Sequence, residues 1–261
     1  MSTTGLRWGL ITDVGRVRKV NQDSAMANGS LFVVADGMGG HRGGEVASGI
    51  AAGHFISTES IASVDELHDA VVTANDLIRA KGGADADLAN MGTTVVAMGV
   101  LPVGDEDKAL RFAAANVGDS RLYLYEDNEL SQVSIDHSLV GELTRAGQIT
   151  EQEAARHPQR NVVTRALGAE SGVSVDTWEL PALLGQRYLL CSDGLVNEVS
   201  DEKISRILGD VDDPASAAKR LVDMANDSGG RDNITVLILD IVDPARLTSD
   251  DSPCDPAETT N

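Results

Sequence analysis

Four aspartates in this chain stand where an apolar run meets a sharp turn, and that placement suits chemistry on a charged ligand. Leu31-Phe-Val-Val-Ala35 reads as a buried strand that stops at Asp36, and five of the next eight residues are glycine. Glycine lets main-chain carbonyls and N–H groups come close to a ligand and tolerates positive φ. Tyr188-Leu-Leu-Cys-Ser-Asp193-Gly repeats the pattern, Ala113-Ala-Ala-Asn-Val-Gly-Asp119 is a looser copy, and Arg231-Asp232-Asn233 precedes the last apolar run. If neighbouring strand ends meet, these acids converge. Two carboxylates ~4 Å apart repel by about 4 kcal/mol at an effective dielectric of about 20, more than a marginally stable fold tolerates several times over. A hard divalent cation, magnesium or manganese, removes that cost, and no His or Cys cluster favours zinc. Two such ions can share a carboxylate and activate water for in-line attack on phosphorus. Arg16, Arg18 or Lys19 would clamp the phosphate, an arginine doing so in bidentate fashion.

These acids need strands to carry them and helices to cover the strands. Residues 6–14 alternate weakly as a first strand. Glu45 to Ser57 places Val46, Ile50, Ala51, His54 and Phe55 at helical spacing. Ser63-Val-Asp-Glu66 has the form of a capping box, followed by Leu67, Ala70, Val71, Ala74, Leu77 and Ile78 on one helical face. Thr93–Val100, Ala109–Asn116, Arg121–Tyr125 and Glu129–Ile135 follow at short spacing with polar turns, which predicts antiparallel pairing. Residues 137–172 are polar, with helical stretches at Leu139–Ala146 and Glu151–His157, and read as an excursion from the sheet that His137 orders at its start. Strands resume at Val173–Leu180 and Arg187–Ser192. Asp213-Pro214 is an N-cap with proline at the first helical position, and that helix ends near Gly229-Gly230. Ile234–Val242 is a last apolar strand. The pattern predicts one large domain, a layered α+β sandwich.

Composition narrows the function classes. With 41 acidic against 21 basic residues, a formal net charge of −20, the chain is a poor nucleic-acid binder or anionic-membrane binder. No apolar run reaches the ~18 residues of a membrane span. Cys191 and Cys254, the only cysteines, make no disulfide framework. Met1-Ser-Thr-Thr-Gly-Leu-Arg-Trp lacks the features of a signal peptide, so the expected location is cytoplasmic. Cys191 itself reads as a buried core thiol. A cysteine-nucleophile phosphatase is excluded because the required arginine six residues on is Asn197. A dinucleotide fingerprint fails at Arg42, and no phosphate-binding Gly-x4-Gly-Lys loop is present.

Arg18-x4-Asp23, Asp36-Gly-Met-Gly-Gly-His41, Gly118-Asp-Ser-Arg121, Cys191-Ser-Asp-Gly194 and Gly230-Arg-Asp-Asn-Ile-Thr235 together resemble the ordered motifs of the metal-dependent protein phosphatases (PPM, type 2C) in their bacterial form. The resemblance runs from about residue 6 to residue 242. It implies a four-layer α-β-β-α sandwich with two central antiparallel sheets and a site for two Mn²⁺ or Mg²⁺ ions between them. In that scheme Asp36 bridges the ions, the Gly37 carbonyl binds the second, and Asp193 with Asp232 completes the first. Asp23 holds a metal-bound water, Arg18 holds the substrate phosphate, and Asp119 with Asp193 takes a weaker third ion. The implied reaction is direct hydrolysis of phosphoserine and phosphothreonine by a metal-bridging hydroxide, opposing bacterial Ser/Thr kinases on phosphorylated proteins. The domain is expected to span 1–242 as a monomer, with a flap at about 143–168 and a disordered acidic tail at 243–261. Two departures stand out: Gln22-Asp23 replaces the eukaryotic Glu-Asp, and Met38 occupies the place of the eukaryotic general-acid histidine, leaving the nearby His41 or a water on the third ion as the alternative proton donors. The rival reading is a silent phosphoprotein-binding module, whose signature would be loss of the metal-site acids.

Overall fold

The structure, a computed structural model, describes residues 5–39, 42–102, 110–154 and 156–243. Its first third carries β1 (Gly5–Asp13), β2 (Asp23–Ala27), β3 (Leu31–Met38), α1 (Gly43–Thr58) and α2 (Val64–Ala84). Then come β4 (Gly92–Thr93), β5 (Val95–Leu101), β6 (Arg111–Val117), β7 (Arg121–Glu126), β8 (Glu129–Gln132), α3 (Leu139–Arg145) and α4 (Glu151–Ala154). The last third holds β9 (Asp176–Pro181), β10 (Arg187–Cys191), α5 (Asp193–Val196), α6 (Asp201–Asp210), α7 (Pro214–Ser228) and β11 (Ile234–Val242).

Two antiparallel sheets result. One has the order β1-β11-β10-β7-β8; the other runs β2-β3-β5-β6-β9, with β4 added beside the end of β3. Both sheets therefore draw strands from distant parts of the chain. Three apolar cores separate four layers. Leu31, Val33 and Ala35 of β3 face α1 and α2, while Phe32 and Val34 face the other sheet. β11 does the same, with Ile234, Val236 and Ile238 under α6 and α7 and Leu237, Leu239 and Ile241 between the sheets. Burial on both faces is why these antiparallel strands read as unbroken apolar runs instead of alternating ones. The result is the expected α-β-β-α sandwich.

Local details differ from the sequence reading where tertiary contacts intervene. The buried face of α1 is Ala47, Ser48, Ala51, Ala52 and Phe55, and Val46 and Ile50 are only partly covered. In α2, Leu77 is exposed and Asn75 is buried in its stead. Asn75 earns that place by accepting from the Gly168 amide (2.9 Å) and donating to the Glu170 carbonyl (3.2 Å). Ser63 caps α2 by accepting from the Glu66 amide, and Glu66 reaches back to the Ala62 amide. Helix α6, absent from the sequence reading, packs Ile204, Ile207 and Leu208 inward. Asp213 caps α7 through the Ser216 amide (2.7 Å), with Pro214 at its start, as expected.

The excursion after β8 is tied at its base. Leu139 N–H donates to Val162, Thr164 N–H to His137, and Thr93 and Leu167 exchange both backbone hydrogen bonds. His137 is buried and accepts the Gly118 amide on Nδ1, while Nε2 lies 3.1 Å from Asp176. Residues 244–261 of the expected tail, Cys254 among them, lie outside the described residues, as does His41. Among the described residues no helix is long and apolar enough to cross a membrane.

Candidate metal centre

Antiparallel pairing brings the acids together from both sheets. Asp36 and Asp23 are direct cross-strand partners on β3 and β2. β3 does not stop at Asp36: Gly37 and Met38 go on to pair with Thr93 and Gly92 of β4. Asp119 occupies the turn between β6 and β7, Asp193 starts α5 directly after β10, and Asp232 lies two residues before β11. The charges of Asp23, Asp119, Asp193 and Asp232 all act on Asp36.

The main chain at Asp36 is pinned. Its carbonyl accepts from the Thr94 amide (2.9 Å) and the Thr93 hydroxyl (2.9 Å), and its N–H donates to Thr94 Oγ1 (3.0 Å). Gly37 N–H donates to the Gln22 carbonyl (3.1 Å). A Cβ on Gly37 would strike the Gly44 and Gln22 carbonyls, so β3, the entry to α1 and the 14–22 loop touch backbone to backbone there. Asp23 Oδ2 accepts from Ser192 Oγ (2.8 Å) and Thr235 Oγ1 (2.7 Å), whereas its buried Oδ1 has no hydrogen-bond partner among the described residues. Asp193 Oδ2 accepts from Asn197 (3.0 Å). Of the three cations at 16–19, Arg18 is the one that reaches a site acid, 2.7 Å from Asp232 Oδ2. Sequence reasoning missed Ser192, Thr235 and Asn233, although each lies inside or next to a quoted motif.

Burial and mutual repulsion push Asp23, Asp36, Asp119 and Asp193 up. Protein crowding raises Asp36 well above the usual carboxylate range, and Asp23, Asp193, Asp119 and Asp232 add to it. Burial lifts Asp119 to about 7, with Asp193 contributing. Burial likewise lifts Asp23 to about 6, against the pull of Thr235 and Ser192. Asp193 rises to about 6 through burial and the charge of Asp232, opposed by hydrogen bonds with Asn197 and Asp36. Asp36 and Asp193 retain partial solvent access, so the crowded carboxyls border an opening.

This donor set fits a hard cation. It is all oxygen, it is self-repelling, and it holds an orphaned carboxylate oxygen. Among the described residues no three carboxylates, imidazoles or thiols close on one point as a ready cage. That too suits magnesium-like ions, which keep several waters and take one or two carboxylates each. A consequence is measurable in metal-free protein. The folded state holds these protons more tightly than the unfolded chain, whose aspartates titrate near 3.8. The contribution of these acids to stability should therefore be fully present below about pH 4 and be lost, by on the order of a few kcal/mol, as pH rises to about 7, against the opposite trend of carboxylates held low by hydrogen bonds or cations, such as Asp176 and Glu198. Thermal melts in EDTA across that range check this; a flat profile would contradict the clustering.

The comparisons with known proteins agree with this geometry. The family model described as Protein phosphatase 2C matches residues 16–231. The serine/threonine protein phosphatase PstP of Mycobacterium tuberculosis is 42% identical over 246 residues, covering 92% of this chain and 46% of that protein. The chain thus spans about half the length of that curated relative. The serine/threonine phosphatase stp of Listeria welshimeri is 38% identical over 242 residues, covering 88% of this chain and 93% of that protein. The crystal structure of the catalytic domain of PstP in complex with two manganese ions superposes with a TM-score of 0.83 at 38% identity, covering 92% of this chain and all of that one. This chain belongs to the protein phosphatase 2C family.

Proposed function

We propose that the chain is a metal-dependent protein serine/threonine phosphatase. One observation carries the reading: the charges of Asp23, Asp119, Asp193 and Asp232, from both sheets, converge on Asp36, and half-exposed Arg18 lies 2.7 Å from Asp232 Oδ2. Asp36, the Gly37 carbonyl, Asp193 and Asp232 would hold two Mn²⁺ or Mg²⁺ ions, and Asp119 with Asp193 a weaker third. The manganese-bound PstP domain supports the choice of ion. When bound, the ions neutralise the acids, supply a nucleophile from water at neutral pH and act as Lewis acids toward phosphoryl oxygen.

The chain's own residues do the rest. Arg18 binds two phosphate oxygens and orients the phosphorus. Asp23, with Oδ2 satisfied by Ser192 and Thr235, keeps Oδ1 to accept from a water and orient it. The leaving serine or threonine oxygen needs a proton, and His41, three residues past Met38, is this chain's candidate donor.

The substrates are phosphoproteins made by Ser/Thr kinases, with the segment at about 143–168 as the flap that influences which are accepted. That segment's base joins Gly118, next to Asp119, through His137. We place the domain at 1–242, followed by an acidic tail. A monomer is proposed as well. A cytoplasmic setting is supported by the free, buried Cys191.

Hydrolysis of p-nitrophenyl phosphate and a phosphothreonine peptide should require manganese or magnesium and stop in EDTA. Turnover in EDTA would sink the reading.

A further inference from the structure

Arg18 sits on an irregular loop, and a half-exposed arginine on a free loop would be a poor phosphate clamp. One side chain, Asn233, ties both ends of the loop. Asn233, 5% exposed, accepts the Gln22 amide on Oδ1 (2.8 Å) and donates its two Nδ2 protons to the carbonyls of Val14 and Val20 (3.0 Å each). This is the one orientation of the amide that satisfies all three partners. Both ends of the 14–22 loop are thereby fastened to a single residue that directly follows Asp232, the partner of the Arg18 guanidinium. The neighbouring Gly230 carbonyl adds a bond from the Arg16 amide (2.7 Å). Gln22 in turn passes the constraint on, since its carbonyl accepts from Gly37 and from Ser48 (2.6 Å).

We propose that Asn233 is a positioning residue: it staples the Arg18 loop of one sheet to the Asp36-Gly37 strand of the other, so that phosphate clamp and ion ligands keep one spacing. The proposal rests on the phosphatase reading and on Arg18 as the phosphate clamp. Asn233 touches neither substrate nor ion; it acts through Arg18. Its amide is required because a carboxylate of the same shape would set a second acidic oxygen against two carbonyls.

The test is a double-mutant cycle on manganese-loaded enzyme, reading the inhibition constant of inorganic phosphate and the kcat and KM for p-nitrophenyl phosphate. Asn233→Ala should weaken phosphate inhibition and raise KM by roughly tenfold, with the manganese dependence unchanged. The same substitution in an Arg18→Ala background should add little, because the arginine it positions is gone. Asn233→Ser, which keeps one donor and one acceptor, should recover part of the loss and carries the same cycle if the alanine variant does not fold. Equal effects of the position-233 substitution with and without Arg18 would overturn the proposal, since a general structural role is independent of the arginine. Fast amide exchange at Gln22 in the unmodified protein would overturn it as well. An unchanged phosphate constant in Arg18→Ala alone would overturn the role given to Arg18, and the proposal with it.

Discussion

Asp36→Asn should leave a folded protein whose turnover falls on the order of a thousandfold or more and whose melting temperature no longer responds to manganese. Asp36 is pushed well toward its protonated form, through burial and the charges of Asp23, Asp193, Asp119 and Asp232. Without cations a neutral amide is close to what that environment already selects, so the metal-free variant should melt no lower than the metal-free parent. The pinned main chain at Asp36, held by Thr93 and Thr94, is untouched by the change. With cations the balance reverses, because the amide cannot offset their charge. Losing several kcal/mol of charge stabilisation converts to the stated rate, at about 1.4 kcal/mol per factor of ten. Melting curves against manganese concentration check the binding half, since a ligand that binds only the folded state raises stability with its concentration. A variant that still gains stability from manganese as the parent does would show that Asp36 is not shared between ions.

The largest expected loss of stability lies at the opposite end of β10. Arg187 is 6% exposed and donates to both oxygens of Asp240 on β11 (2.6 and 2.8 Å). It also caps the carbonyls of Leu208, Val211 and Asp212 where α6 gives way to α7. Arg187→Ala would strip a buried carboxylate of its main donor and leave the Leu208 and Val211 carbonyls without theirs, the Asp212 carbonyl keeping Arg7 (3.3 Å). Removing one partner of a buried pair costs about 3–5 kcal/mol. Arg7, 3.2 Å from Asp240 Oδ2, stays behind as a partial substitute, which favours the lower end. For a chain of this size that corresponds to a fall in melting temperature of about 10 °C. Replacing both Arg187 and Asp240 with apolar residues should not restore it, because the Leu208 and Val211 carbonyls remain uncapped. Activity of the folded fraction should be unchanged, since Arg187 lies four residues, roughly 13 Å, from the Cys191 end of its strand. Thermal melts beside assays at 25 °C separate the two effects, and an unchanged melting temperature would show the cap to be dispensable.

Asp232 lies in the polar turn before the last apolar run, and Asp23 was singled out only by the motif resemblance. Asp36, Asp119 and Asp193 were readable in the linear chain because each sits in a short run whose pattern is local: an apolar strand, then an acid, then glycine or a turn. The same is true of the caps of α2 and α7, where donor and acceptor are three residues apart. Strand β11 was legible at both ends because a run of apolar residues, broken only by Thr235 and Asp240, is flanked by polar ones. Helix α6 escaped because only three of its ten residues point inward. The exchange of Leu77 for Asn75 on the buried face of α2 escaped for another reason: Asn75 is satisfied by Gly168 and Glu170, more than ninety positions away. Which sheet each strand joins, and therefore which acids meet, depends on pairings such as β1 with β11 across the whole chain. Residue type and local spacing thus chose the chemical groups, since those are properties of neighbouring residues. Their common locus, the orphaned oxygen of Asp23 and the Asn233 staple under Arg18 came from long-range hydrogen bonds, which exist only once the two sheets have packed.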